Sequence, residues 1–175
     1  KVGCDPAYLG LETDNTVTYQ MTSDLFFSKQ KAKYDICFID GLHHYEQVVK
    51  DIINAWNVLT PESFIVLHDC FPVNSMAAER EYPGEGASWN GDVYRAILWF
   101  REMYPDIYCR VVNLENGLGI IYKEEDVILP FEFPNLISYM EYDYNWLVEN
   151  INKLGYISLE NFWTFIDKIK EEKNA

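Results

Sequence analysis

The chain has 175 residues, of which 28 are acidic and 14 basic, a net charge of −14. A field of that sign repels phosphate backbones and anionic lipid, which argues against nucleic-acid and membrane partners. With 49% apolar residues the length suits one domain with a sizeable core, and no apolar run nears the roughly 20 residues of a membrane helix. Cys4, Cys37, Cys70 and Cys109 are widely spaced and form no Cys-x-x-Cys. Reduced thiols in a cytoplasmic protein are therefore expected rather than a disulfide or zinc framework. There is no signal-peptide pattern. Because the first residue is Lys rather than Met, we expect either residues upstream in a longer native protein or a removed tag.

Lys1–Asp5 reads as the end of a strand stopped by Pro6, and 16–21 alternates β-branched and aromatic residues as a second strand. Ser23 or Asp24 then caps a short helix at 25–28. A buried strand follows at 34–39, then a helix from about Tyr45 to Leu59 with Val48, Val49, Ile52, Ile53, Trp56 and Leu59 on one stripe. Thr60-Pro61 is expected to end that helix before a strand at 63–67. Residues 70–90, with Pro72, Pro83, Gly84 and Gly86, form a long irregular loop of the kind that is usually functional. A helix from Gly91 or Asp92 to Tyr104 carries Val93, Ala96, Ile97, Phe100 and Met103 on one face. Strands at 108–112 and 118–122 form a hairpin, for which Asn116-Gly117 is the turn signal. The tail holds Pro130 and Pro134, then helix patterns near 142–153 and 159–170.

Two parallel strands joined by a helical crossover bring their carboxyl ends side by side. Asp40 and His43 follow the strand 34–39, and His68 and Asp69 follow the strand 63–67. All four should meet at one rim of the sheet, where open α/β sheets bind their ligands.

The order of elements, an α/β sheet closed by an antiparallel hairpin, resembles the three-layer, Rossmann-like architecture of class I S-adenosylmethionine-dependent methyltransferases. The segment 34–45, Tyr-Asp-Ile-Cys-Phe-Ile-Asp-Gly-Leu-His-His-Tyr, is similar to the FDxxFIDGxHxY segment of one methyltransferase group that includes sugar and macrolide O-methyltransferases. Residues 65–69, Ile-Val-Leu-His-Asp, match its hydrophobic strand ending in His-Asp, and 89–96 and 116–121 also look like segments of that group. The likeness covers residues 1 to about 123, a partial catalytic domain, with 124–175 as a C-terminal helical extension packed on or beside it. The group's first strand and Gly-rich turn should precede Lys1. In that fold this strand lies between those ending at Asp5 and Asp40, so its loss exposes two edges. Either an upstream segment or another chain, such as a second copy in a homo-oligomer, would complete the sheet, or the strands pair differently.

The resemblance implies methyl transfer from S-adenosylmethionine to a small-molecule acceptor, a hydroxyl and by one reading a sugar. It gives Asp5 the ribose hydroxyls, though Asp5 also fits a turn before Pro6. It sets Ser23 and Asp24 beside the adenine, where helix capping would explain them as well, and it places Asp40 against the cofactor too. Asp40 and Asp69 are candidate ligands for Mg²⁺, a hard cation that takes oxygen donors and would lower the pKa of a bound hydroxyl; for Asp40 the plainer role is a helix cap. His43, the motif histidine, and His68 are candidate bases, against a structural role for either. His44 falls at the variable position. Trp89 and Tyr94 either wall the acceptor cleft or pack. Two other readings stay open: a metal-dependent hydrolase using the same Asp/His rim, and a non-catalytic module of the same fold.

Overall fold

The computed structural model describes residues 1–7, 15–129 and 136–173; Pro130 and Pro134 lie outside them. Its elements in chain order are β1 (Val2–Cys4), β2 (Val17–Tyr19), α1 (Ser23–Lys29), β3 (Tyr34–Ile39), α2 (Tyr45–Val58), β4 (Leu59–Leu67), α3 (Tyr94–Met103), β5 (Cys109–Val112), β6 (Leu118–Lys123), α4 (Tyr144–Glu149), β7 (Tyr156–Ile157) and α5 (Leu159–Lys173). Short 3-10 turns cover Leu136–Glu141 and Ile151–Leu154.

β1 and β2 pair in parallel as a separate two-stranded sheet, while the larger sheet has the order β3-β4-β6-β5-β7. In it β3/β4 and β5/β7 are parallel, and β4/β6 and β5/β6 are antiparallel. The expected adjacency of β3 and β4 and the closing hairpin are both present. The larger sheet is nevertheless mixed rather than mostly parallel, because β6 inserts between β4 and β5.

The helix α2 forms because its apolar residues recur at helical spacing, and the whole stripe from Val48 to Leu59 is buried. With Ala96, Ile97 and Phe100 of α3 it packs on Ile65, Leu67, Val111 and Ile121 of the sheet. Met103, expected on that face, lies in the last turn of α3 and is exposed. Buried Lys123 donates to the carbonyls of Trp56 and Leu59, satisfying the carboxyl end of α2. On the opposite face Phe165 of α5 stacks on Tyr108 at 3.6 Å between ring centroids and meets Tyr122 edge-on. Helices therefore lie on both faces, with α5 at the β5–β6 end.

Several boundaries differ from expectation. Strand β4 starts at Leu59, directly after α2, and Thr60-Pro61 belongs to it. The ladder with β3 shifts register between Tyr34 and Ile36, and an irregularity of that kind tolerates proline. Thr22, not Ser23 or Asp24, caps α1, its Oγ1 accepting from the Leu25 amide. The hairpin loop takes left-handed backbone at Glu115 and Gly117 rather than at Asn116-Gly117. Burial pushes the thiols of Cys37 and Cys109 up to about 11 and about 12, so these serve as packing groups.

Candidate active site

Parallel pairing of β3 with β4 ends at Ile39 opposite Leu67, and the His68 amide donates to the Ile39 carbonyl. Asp40 and His68 thus leave the sheet side by side. Asp69 then takes a left-handed conformation, φ 60°, turning the chain sharply at the rim.

The side chains converge as the two strand ends require. His43 Nε2 lies 3.5 Å from Asp40 Oδ1 and 3.3 Å from Asp69 Oδ2. His68 Nδ1 lies 2.8 Å from Asp69 Oδ2 and 3.8 Å from Asp40 Oδ1, and its Nε2 is 3.4 Å from Glu115 Oε2. Asp69 is buried, whereas Asp40 is exposed. A small recess beside them is lined by Asp40, Leu42, His43, His68 and Val93. Burial alone would lower the His68 pKa; the Asp69 hydrogen bond and charge, with Glu115 and Asp40 behind them, outweigh it and raise the imidazole above its ordinary value.

A second group of residues holds this rim, of which the sequence pointed only to Trp89, as a wall of the acceptor cleft or a packing residue. Buried Asn90 donates to Asp69 Oδ1 at 2.7 Å, and Asn116 donates to the same oxygen at 3.3 Å. His43 Nδ1 lies 3.1 Å from the Trp89 carbonyl, and the two rings stack at 4.8 Å. Trp89 therefore stands at the site as a support for His43. Tyr94 packs instead, buried with its hydroxyl donating to the Tyr142 carbonyl.

Asp92 anchors the same segment. Its Oδ1 accepts from the Tyr45 amide at 2.6 Å, capping α2 from another element, and its own amide donates to the His43 carbonyl. The cap role considered for Asp40 thus belongs to Asp92. The Asp92 Oδ2 receives Arg80 and Arg95, each at 2.9 Å, and Arg80 also pairs with Glu46. Through Arg80 the long loop is fastened to α2.

The other candidates lie at the small sheet. Asp5 is exposed, and its Oδ1 accepts from the Ala7 amide at 2.6 Å, the turn role. Ser23 Oγ and Asp24 Oδ1 both accept from Gln47 Nε2 of α2, at 3.2 and 3.1 Å. These contacts tie α1 to α2 and bring the small sheet beside the large one.

Residues 8–70 match a family model described as a methyltransferase domain. The matched stretch runs from just after β1 to just after β4 and includes Asp40, His43, His68 and Asp69. This part of the chain is thus similar to a methyltransferase domain. No curated protein matches the chain. No described helix is long and apolar enough to cross a membrane.

Proposed function

We propose that this chain carries the catalytic rim of a class I, Rossmann-like methyltransferase that moves a methyl group from S-adenosylmethionine to a hydroxyl of a small molecule, a sugar being one such acceptor. The observation that carries the reading is the convergence of two carboxylates and two imidazoles at the carboxyl ends of parallel strands, inside the segment similar to a methyltransferase domain. Free thiols at all four cysteines agree with a cytoplasmic setting.

The residues at β1 and α1 fit the nucleoside part of the cofactor. Asp5 ends β1 with an exposed carboxylate, and a carboxylate has about four acceptor sites, so its turn bond leaves room for ribose hydroxyls. Ser23 and Asp24, at the start of α1, would face the adenine. When bound, S-adenosylmethionine supplies an electrophilic methyl group. The chain's own part is to orient the acceptor hydroxyl at the rim and to take its proton on an imidazole, His43 or His68. Asp40 and Asp69 would hold a divalent cation that favours the deprotonated hydroxyl.

The sheet calls for one further strand. Among the described residues β1 and β3 each pair on one side only, so an upstream segment, or a second copy of the chain, would bridge them. Residues 1–123 form the catalytic unit in this reading, and 124–175 support it through β7 and α5.

Calorimetric titration of S-adenosylmethionine into the native-length protein tests the proposal. Binding is expected, and Asp5→Ala should weaken it about ten- to a hundredfold, the scale of charge-assisted hydrogen bonds. Failure of the wild type to bind would overturn the methyltransferase reading; unchanged affinity in Asp5→Ala would remove only Asp5 from the site.

A further inference from the structure

We propose that His43 is a metal ligand rather than the base: through Nε2 it joins Asp40 and Asp69 in a site of one nitrogen and two carboxylates for a first-row divalent transition cation such as Mn²⁺ or Co²⁺. The proposal sharpens the reading of this rim as a cation site and does not depend on methyl transfer.

The far side of the His43 ring fixes its tautomer. The Trp89 carbonyl can only accept a hydrogen bond, so Nδ1 of His43, 3.1 Å away, carries the proton. In the neutral ring Nε2 is then a lone pair, and it faces Asp40 Oδ1 at 3.5 Å and Asp69 Oδ2 at 3.3 Å. Three acceptors turned on one another repel unless a cation, or a second proton on the ring, lies among them. The three donor atoms all fall within 4.8 Å of one another. Ligands about 2.1 Å from a shared metal, at angles between octahedral and tetrahedral, stand roughly 3.0–3.4 Å apart, close to the two histidine–carboxylate separations.

The support around the donors is that of a metal centre. A ligating histidine donates its other ring N–H to a carbonyl or carboxylate, and ligating carboxylates are themselves hydrogen-bonded. Here the Trp89 carbonyl orients His43, while Asn90 and Asn116 hold the second oxygen of Asp69. Asn90 is fully buried, and its Oδ1 has no hydrogen-bond partner among the described residues. It places a further oxygen donor on the residue that touches Asp69.

The donor set decides the cation. Mg²⁺ favours oxygen-only surroundings, whereas imidazole nitrogen suits the first-row transition ions, and carboxylates keep Mn²⁺ within range. With His43 occupied in this way, His68 is the imidazole left to accept a proton. The competing arrangement is a second proton on His43 in place of the cation, and the two differ in what binds.

The test uses native-length protein stripped by chelator, titrated with Mn²⁺ and separately with Mg²⁺, with pulsed paramagnetic resonance on the Mn²⁺-loaded sample. One Mn²⁺ should bind at least about tenfold more tightly than Mg²⁺, and the wild-type spectrum should show histidine nitrogen coupled to the manganese. His43→Ala should remove that coupling and cost roughly a hundredfold in affinity or more, beyond what loss of an outer contact costs. His68→Gln should keep the coupling and hold affinity within about tenfold. No Mn²⁺ binding, no nitrogen coupling in the wild type, or coupling that survives His43→Ala would each overturn the proposal. The wild-type spectrum decides even if a variant folds poorly. Since no methyl acceptor is present, failure here is distinct from failure of the methyltransferase reading.

Discussion

Asn90 donates its side-chain amide to Asp69 Oδ1 at 2.7 Å, although the two lie 21 positions apart in the chain. This bond fixes a buried carboxylate whose other oxygen lies toward both His68 and His43. Asn90→Ala should leave Asp69 Oδ1 with the longer Asn116 contact alone. The expected stability cost is about 1 kcal/mol, the usual net worth of one hydrogen bond, with a larger loss in rim function, about 10- to 100-fold in cation affinity. Denaturant unfolding and metal titration on the same sample check the split. A fall in stability with unchanged affinity would make Asn90 a packing residue only.

Gly91 has φ +61°, and a Cβ there would lie 2.2 Å from the His43 carbonyl oxygen and 2.6 Å from its Cβ. The collision is with backbone, so the neighbour cannot simply rotate away. Gly91→Ala should cost at least the 1–2 kcal/mol or so of left-handed backbone, which lowers Tm by at least about 2–4 °C in a chain of this size. It should also displace His43. A thermal melt within a degree or so of wild type would show that the 89–92 segment is not held against His43 as described.

The four rim residues were legible because each follows directly on a strand of strong apolar pattern, and parallel pairing fixes where strand ends meet. Asn90, Gly91 and Asp92 carry no such signal. They lie where the irregular loop meets the expected start of a helix, in a segment whose likeness to the group assigns them no role, and their partners are tens of residues away, as with Asp92 and Tyr45, 47 positions apart. The same limit hid the cap of α2, which comes from another element instead of the preceding residues. β7 was invisible for a different reason: two residues, Tyr156 and Ile157, hold too little alternation to read. Pro61 misled because a proline usually closes an element, while here the shifted register between β3 and β4 admits it.

Asp92 is fully buried and shared by two guanidinium groups. Asp92→Ala would leave Arg95, itself buried, without its carboxylate and would uncap α2. Breaking a buried pair from one side costs about 3–5 kcal/mol, a large part of the stability of a small domain. Chemical denaturation should show that loss, and Arg80 should become accessible to guanidinium-directed reagents. A cost below about 1 kcal/mol, typical of exposed pairs, would mean that solvent reaches the network.

His68 makes the rim sensitive to pH in metal-free protein. Its pKa is raised on folding: burial opposes the shift, and the Asp69 contact, then Glu115 and Asp40, outweigh it. The sign follows from linkage. The folded state holds the proton more tightly, so this contribution to stability is complete below the unfolded value near 6.5 and is lost as pH rises through the higher folded value. In the metal-loaded protein of the proposed reaction, His68 as the base must likewise be unprotonated, so turnover there should also rise with pH. Glu115→Gln removes one of the supporting carboxylates and should move both the histidine titration, followed by NMR, and the activity rise to lower pH. No movement of the His68 titration would show that Glu115 does not act on the ring.

Among the described residues the edge of β3 is unpaired and coincides with an uncovered apolar face. Ile36 and Phe38 are 62% and 61% exposed. Ile36 pairs with Phe64, and Phe64 with Tyr122, so they share the face on which α5 covers only the far end through Phe165. A strand added at β3, with chain crossing that face, would bury both side chains, each worth about 1.5–3 kcal/mol when fully covered. We therefore expect Ile36→Lys with Phe38→Lys to cost several kcal/mol on that scale wherever a further strand pairs with β3, and little in residues 1–175 without one. Hydrogen exchange offers an independent reading. The β3 amides directed away from β4 should exchange rapidly in residues 1–175 and gain protection once a further strand pairs with β3. Protection that grows with protein concentration would assign the strand to a second copy, and protection independent of concentration in a longer chain would assign it to the upstream segment. Should the double variant be near neutral and the outward β3 amides stay unprotected in the native-length protein, β3 would be a true edge and the sheet would be complete without a further strand.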